Sequence, residues 1–423
     1  MRSPIFDYLD DVLADTAGID SGELADYIPE LASVDPNRAA VALCTVGGTV
    51  YASGDDNHRF TMQSMSKPFA YALAIEDNGL ERIVECIDVE PSGEAFNELS
   101  LDPDTGTPRN PMINAGAIAT HALINTNDAS SVDRLLDYLS RMSERTIAID
   151  ETVASSELAT ASRNLGLAYL LHASGNLARE PQEAVEGYVR QCAASVTVRD
   201  LALMAATLAN GGVQPNTEER LLSRSGCRQL LSVMASCGMY DSAGDWLTNV
   251  GIPAKSGVGG GIIGVLPGQV GVAAFSPRLD QHGNSARGVA MMELLSEDLG
   301  LHLMEPSRPA RSSLRERQEI LLEGQPATLY ELQGDLILSS IESLVHEIIA
   351  NPPMTRTVIF DMSRVDEVRP VARRTSSATA TKLIDNGHRI IVIDPELTVA
   401  HFADSRGRPV ERWTVDQLES ALT

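Results

Sequence analysis

Only three of the 33 basic residues are lysines, at positions 67, 255 and 382. Arginine serves everywhere else, and ion pairing or solubility tolerates that exchange. A task that needs a compact ammonium able to lose its proton does not, because guanidinium stays protonated. Two of the lysines sit in short motifs. Ser64 and Lys67, in FTMQSMSKPF, have the spacing S-x-x-K. Positions i and i+3 share a helix face, so the Lys67 amine can approach the Ser64 hydroxyl. Pro68 lacks an N–H and is comfortable only in a helix's first turn, which places Ser64 at or beside the helix N-terminus. The Ser64 amide is expected to have no intrahelical partner there. A hydroxyl, an amine and a free amide at a positive dipole end are the parts of an acyl-transfer site. The second lysine opens K-[ST]-G as Lys255, Ser256 and Gly257, and Ser162, Arg163 and Asn164 spell S-x-N.

These residues need elements to hold them. Helical periodicity with a glycine stop runs over 5–16, 68–78 and 198–210, the last followed by Gly211 and Gly212. Residues 40–52 predict a hairpin turning at Gly47 and Gly48, and 261–275 another turning at Pro267 and Gly268. The first 300 or so residues are therefore α/β with antiparallel strand pairs. The stretch EPSRPARSS at 305–313 has linker composition. Beyond it, extended runs at 328–333, 357–361 and 389–394 alternate with helical runs at 340–350 and 371–386, predicting a small, mostly helix-covered α/β sheet. Three domain assignments follow: 1–305, a linker at 306–313, and 314–423.

Several function classes are disfavoured. The 33 Lys and Arg against 58 Asp and Glu leave a net charge of −25, with no basic stretch to replace phosphate counterions, so no nucleic-acid partner is expected. No run approaches the ~20 apolar residues of a spanning helix, and the acidic start MRSPIFDYLDD is unlike a secretory segment. A soluble, cytoplasmic protein without membrane association is expected. Cys44, Cys86, Cys192, Cys227 and Cys237 form no CxxC pair and are expected to be buried, reduced thiols. Gly259, Gly261 and Gly264 satisfy G-x-G-x-x-G but lead into a β pattern with no helix to hold a pyrophosphate. The aspartates at 102 and 104 read as a plain turn rather than a calcium loop, and no histidine has a ligand neighbour at helical spacing. Neither metal nor cofactor is implied.

S-x-x-K, S-x-N and K-[ST]-G, in that order, resemble the signatures of serine β-lactamases and penicillin-binding proteins. Longer strings sharpen the resemblance. DYIPELA at 26–32, QSMSKPF at 63–69, NPMINAGAI at 110–118, SELATASRN at 156–164, GYVRQCAASV at 187–196, and CGMYDSAGDW with PAKSGVGGGI at 237–262 resemble the serine-dependent glutaminases, relatives of the β-lactamase fold. The resemblance implies an antiparallel sheet with helices plus a helical subdomain. It implies Ser64 as nucleophile, Lys67 as its base and Tyr240 as a phenol relaying a proton to the leaving ammonia. It also implies the amides of Ser64 and Val258 as an oxyanion hole, and Tyr27, Asn114, Glu157, Asn164 and Tyr188 around the amino-acid end of the substrate. Read alone, Asn114 fits a turn or cap, Glu157 a helix N-terminal charge, Tyr27 and Tyr188 packing, and Tyr240 a turn residue.

Residues 314–423 more weakly resemble STAS domains, through GDLILSSIESLV, TVIFDMSRVDEV and RIIVIDPE. Many STAS domains carry a phosphorylatable serine at the helix start; here Val368, Arg369, Pro370 and Val371 stand there, while Ser376 and Ser377 fall further along and read as helix surface. The expected function is hydrolysis of L-glutamine to L-glutamate and ammonia, in a homodimer or homotetramer by analogy, with a regulatory, ligand-sensing or assembly module whose partner is unknown. The rivals are another acyl hydrolase of the same fold and a catalytically inactive scaffold.

Overall fold

The structure, a computed structural model, describes residues 4–92, 100–126, 129–304, 313–336, 338–368, 370–395, 406, 408 and 410–422. It divides into two compact units, Met1–Glu305 and Pro306–Thr423. Most of the expected linker, 306–312, lies outside the described residues.

In the first unit both expected hairpins form, and they join. Ala40–Thr45 pairs with Val50–Gly54, and Gly261–Leu266 pairs with Val270–Phe275. Ala40–Thr45 also lies antiparallel to Val270–Phe275, and Ala254–Gly257 adds beside Gly261–Leu266, completing five antiparallel strands. Strand side chains alternate faces, and the apolar ones sort accordingly. Ala40, Ala42, Cys44, Ile263, Ala273 and Phe275 share a core with helix Val198–Ala209. Val41, Leu43, Ile262, Val272 and Ala274 share another with helices Pro4–Asp15 and Ala286–Leu299. The G-x-G-x-x-G glycines thus feed a strand, as expected, and not a nucleotide-binding helix.

A third core belongs to a helical subdomain, Asn114–Ala122, Ser162–Ala173 and Pro181–Cys192. Between it and the sheet runs helix Lys67–Asn78, buried from Lys67 through Ile75. A helix apolar around its circumference is an enclosed one, and this position lets it carry chemistry at its N-terminal end without solvent along its flank.

In the second unit the three expected strands and two helices form, within a five-stranded mixed sheet. Thr357–Arg364 lies parallel to both Gln325–Gln333 and Arg389–Ile393. The sequence reading missed the edge strands Leu314–Leu322 and Glu411–Trp413 and the helix Val415–Ala421. The first is rich in charge, LRERQEILL, because an edge strand half-open to water lacks a clear apolar period. Val358 and Phe360 face a core with helix Leu338–Ala350, whereas Ile359 and Ile391 face Leu418 on the other side.

Ser376 and Ser377 lie within helix Pro370–Asp385, both partly buried, and Ser376 borders an apolar gap with Phe360 and Val392. Arg369 lies outside the described residues. Among the described residues no helix is long and apolar enough to cross a membrane, and no group of three or more His, Cys, Asp or Glu is placed to hold a metal.

Candidate active site

Ser64 sits in a short 3₁₀ turn, Gln63–Ser66, that runs directly into helix Lys67–Asn78. The tighter turn keeps Ser64 at the helix mouth as expected, with Lys67 opening the α-helix proper. Gln63 has φ +50°, a left-handed conformation that is costly for a residue with a side chain. The turn packs against strand Ala254–Gly257, where Gly257 is required: a Cβ there would lie 2.7 Å from the Met62 carbonyl oxygen. This close approach brings the K-S-G strand beside the S-x-x-K turn, although the two are remote in the chain.

Lys67 is 1% exposed. Its Nζ donates 3.0 Å to the Met112 carbonyl and 2.8 Å to Asn114 Oδ1. Burial lowers its pKa to about 8. Lys255 is also fully buried and is held well below the ordinary lysine range by burial, with the charge on Lys67 adding to the effect. Its Nζ donates 2.8 Å to the Ser256 carbonyl and lies 3.9 Å above the centroid of the Tyr240 ring. The second motif lysine therefore braces Tyr240. The Tyr240 hydroxyl lies within reach of Ser64 and 3.3 Å from the Ser256 carbonyl. Burial pushes its pKa up to about 12, so the phenol keeps its proton.

Two further groups converge on this core. Asn114, first residue of helix Asn114–Ala122, accepts from Lys67 and from the Tyr188 hydroxyl at 3.1 Å, and donates 3.2 Å to Asn164 Oδ1. Glu157 accepts the Tyr27 hydroxyl at 2.8 Å and the Gln63 amide at 3.1 Å on one oxygen. Burial raises the Glu157 pKa, and those two hydrogen bonds partly offset the rise. Val258 occupies the turn after strand Ala254–Gly257, and its side chain packs with Ile28, Leu31, Val153, Ala154 and Ala193. Only its backbone is available for chemistry.

The Glutaminase family model matches residues 22–304. A glutaminase of Corynebacterium glutamicum is 49% identical over 410 residues, covering 96% of this chain and 98% of the relative. A crystal structure of Mglu in its native form superposes with a TM-score of 0.84 at 43% identity, covering 94% of this chain and all of that one. A probable glutaminase from Bacillus subtilis, solved in complex with 6-diazo-5-oxo-L-norleucine, matches 72% of this chain and 98% of its own at 30% identity and TM-score 0.66. The chain belongs to the glutaminase family.

Some readings of single residues in this glutaminase need correction. Glu157 lies in the last turn of helix Glu151–Ala159, so it is not an N-terminal helix charge; a carboxylate there opposes the helix dipole. Asn114 does open a helix, but its side chain turns to Lys67 instead of capping. Tyr27 is 44% exposed, so it is no core packing residue. Of the S-x-N triplet only Asn164 joins the cluster; Ser162 and Arg163 are exposed. Four of the five free cysteines are buried, but Cys86 is half-buried.

Sequence reasoning missed Gln63 and Met112. The Met112 carbonyl carries no side-chain signal at all. Cys192 is buried among Ser66, Tyr188 and Lys67, and burial raises its thiol to about 11, which keeps it protonated and inert. Gln63 lay next to the motif serine, and that adjacency was the available hint.

Proposed function

We propose that this glutaminase hydrolyses L-glutamine to L-glutamate and ammonia through a γ-glutamyl ester on Ser64. The supporting observation is the amine of Lys67. In its neutral form it has two N–H groups, and two acceptors, Met112 O and Asn114 Oδ1, take both. The lone pair is left over for the Ser64 hydroxyl. Burial supplies that neutral form near physiological pH, a role that arginine cannot fill.

In the forward direction Ser64 Oγ gives its proton to Lys67 Nζ and bonds to the side-chain carbonyl carbon of glutamine. The negative charge gathers on the carbonyl oxygen, facing the amides of Ser64 and Val258; one such donor contributes about 3 kcal/mol. Collapse breaks the C–N bond, and the departing nitrogen takes a proton through Tyr240, whose high pKa keeps it a donor and whose hydroxyl lies within reach of Ser64. Water then attacks the ester, gives one proton back toward Ser64, and releases glutamate. Two lower barriers replace one high barrier, as a poor electrophile requires.

The substrate's ammonium would meet Glu157, whose second oxygen is not used by Tyr27 or Gln63. The Asn114 and Asn164 amides offer donors for its carboxylate, and Tyr188, which donates to Asn114, holds that amide in place. Release of ammonia from glutamine by the purified protein, abolished in Ser64→Ala, is the test. No release by wild type, or undiminished release by the variant, would refute the assignment.

We propose residues 1–305 as the catalytic domain and 314–423 as a STAS-like module that is regulatory or structural. The alternation of parallel strands and helices supports the latter, and the non-serine residues at the helix start, Val368 and Pro370, speak against a phosphorylation switch there. The five unpaired cysteines support a reducing, cytoplasmic location.

A further inference from the structure

The strained turn before Ser64 needs something to hold it. A non-glycine residue at φ +50° is strained and persists only where its surroundings over-determine it. The hydrogen bonds around Gln63 show what does so. Ser66 Oγ donates 2.8 Å to the Gln63 carbonyl. Gln191 Nε2 donates 3.1 Å to Ser66 Oγ, and Gln191 Oε1 is 2.8 Å from His121 Nδ1. Because Gln191 Oε1 can only accept, the proton between them sits on His121 Nδ1.

The chain therefore has one direction, from His121 through Gln191 and Ser66 to the Gln63 carbonyl. The three side chains are buried to 2% exposure or less. Ser66 has one proton, and the carbonyl at 2.8 Å takes it in preference to Cys192 Sγ at 3.9 Å. Burial lowers the His121 pKa to about 4, so the ring stays neutral and its tautomer does not change over the working range. Room for the ring comes from Gly187, where a Cβ would lie 2.2 Å from His121 Nε2.

The Gln63 carbonyl and the Ser64 N–H belong to the same planar trans peptide and point in opposite directions. Fixing one therefore aims the other. We propose that Ser66, Gln191 and His121 are positioning residues that aim the Ser64 amide into the oxyanion site by pinning the carbonyl on its far side. The inference rests on the Ser64 reading above and adds to it. None of the three touches substrate. An oxyanion donor matters only once charge develops, so their loss falls on turnover and spares ground-state binding.

Steady-state kinetics of ammonia release test this in the full chain. Ser66→Ala and Gln191→Met should each lower kcat ~10- to 100-fold, a fraction of the ~10²–10³ that a lost oxyanion donor costs. KM should stay within about twofold and the pH profile unchanged, because the relay contains no group that titrates there. Adding Gln191→Met to Ser66→Ala should cost less than about twofold more, since one chain is already broken. Should Ser66→Ala fail to fold, Gln191→Met alone carries the same expectation. A wild type that is active, a Ser64→Ala that is dead, and relay variants with kcat within about twofold of wild type would overturn the relay alone. A rise in KM that accounts for the whole loss of kcat/KM would also overturn it. An inactive wild type or an active Ser64→Ala would instead remove the reading beneath it.

Discussion

Moving the assay from pH 6 to pH 8 at saturating glutamine should raise kcat along the titration of Lys67. The fold holds this side chain without water around it, and its pKa falls to about 8. Below that value the amine carries a proton and cannot accept another; above it the free base appears, so activity rises with pH. The free-base fraction is ~1% at pH 6, ~10% at pH 7 and ~50% at pH 8, whereas an ordinary lysine would offer ~0.04% at pH 7. Burial thus enriches the working form ~200-fold at neutrality. Turnover should climb ~10-fold between pH 6 and 7, ~5-fold between 7 and 8, and level off near 9. Cys192 at about 11 and Tyr240 at about 12 hold their protons across this limb, and burial holds Lys255 well below the ordinary lysine range. Burial raises the Glu157 pKa, and its protonation, which removes the charge facing the substrate ammonium, should register in KM. Ammonia release across overlapping buffers measures the limb, and Lys67→Arg, matched to wild type by circular dichroism, should abolish turnover. A kcat that is flat from pH 6 to 8, or a Lys67→Arg variant with near-normal rate, would refute the argument.

Glu157→Gln keeps the shape of the clamp and removes its charge. A hydrogen bond to a charged group contributes roughly 1.5–3 kcal/mol, so KM should rise ~10- to 100-fold while the melting temperature moves little, as substrate titration and calorimetry would show. The Arg145–Asp200 pair provides the opposite case. Arg145 Nε donates 2.9 Å to Asp200, which is 6% exposed and also accepts the Thr197 amide at 2.7 Å to cap helix Val198–Ala209. Asp200→Ala should cost about 3 kcal/mol in denaturant unfolding with kcat of the surviving native protein within about twofold of wild type. An intact stability would contradict the packing role.

The two hairpins, the helix from Lys67 and the long helix Val198–Ala209 were legible because each is a local pattern: alternation around a glycine turn, or helical periodicity with a cap and a stop. So were Ser64, Lys67 and Lys255, because a chain that spends only three lysines exposes the places where arginine cannot serve. Less legible were the charged edge strand Leu314–Leu322, which lacks an apolar period, and the two-residue strands Phe60–Thr61 and Ala148–Ile149, whose partner Ala194–Val196 is remote in sequence.

The sequence by itself determined which groups could do chemistry here: a serine and an amine one turn apart, and a second lysine on a strand with glycines to let it pass close. Tertiary structure alone decided what those groups are. Folding removes water from Lys67 and sets the Met112 carbonyl and Asn114 on its amine, 45 and 47 residues along the chain, which is what the proposed base requires. Lys255 becomes a brace for Tyr240, and Glu157 is turned toward Tyr27 and Gln63 from the far end of its own helix. Solvation and carbonyl direction depend on what packs nearby in space, and no spacing rule along a chain encodes either one.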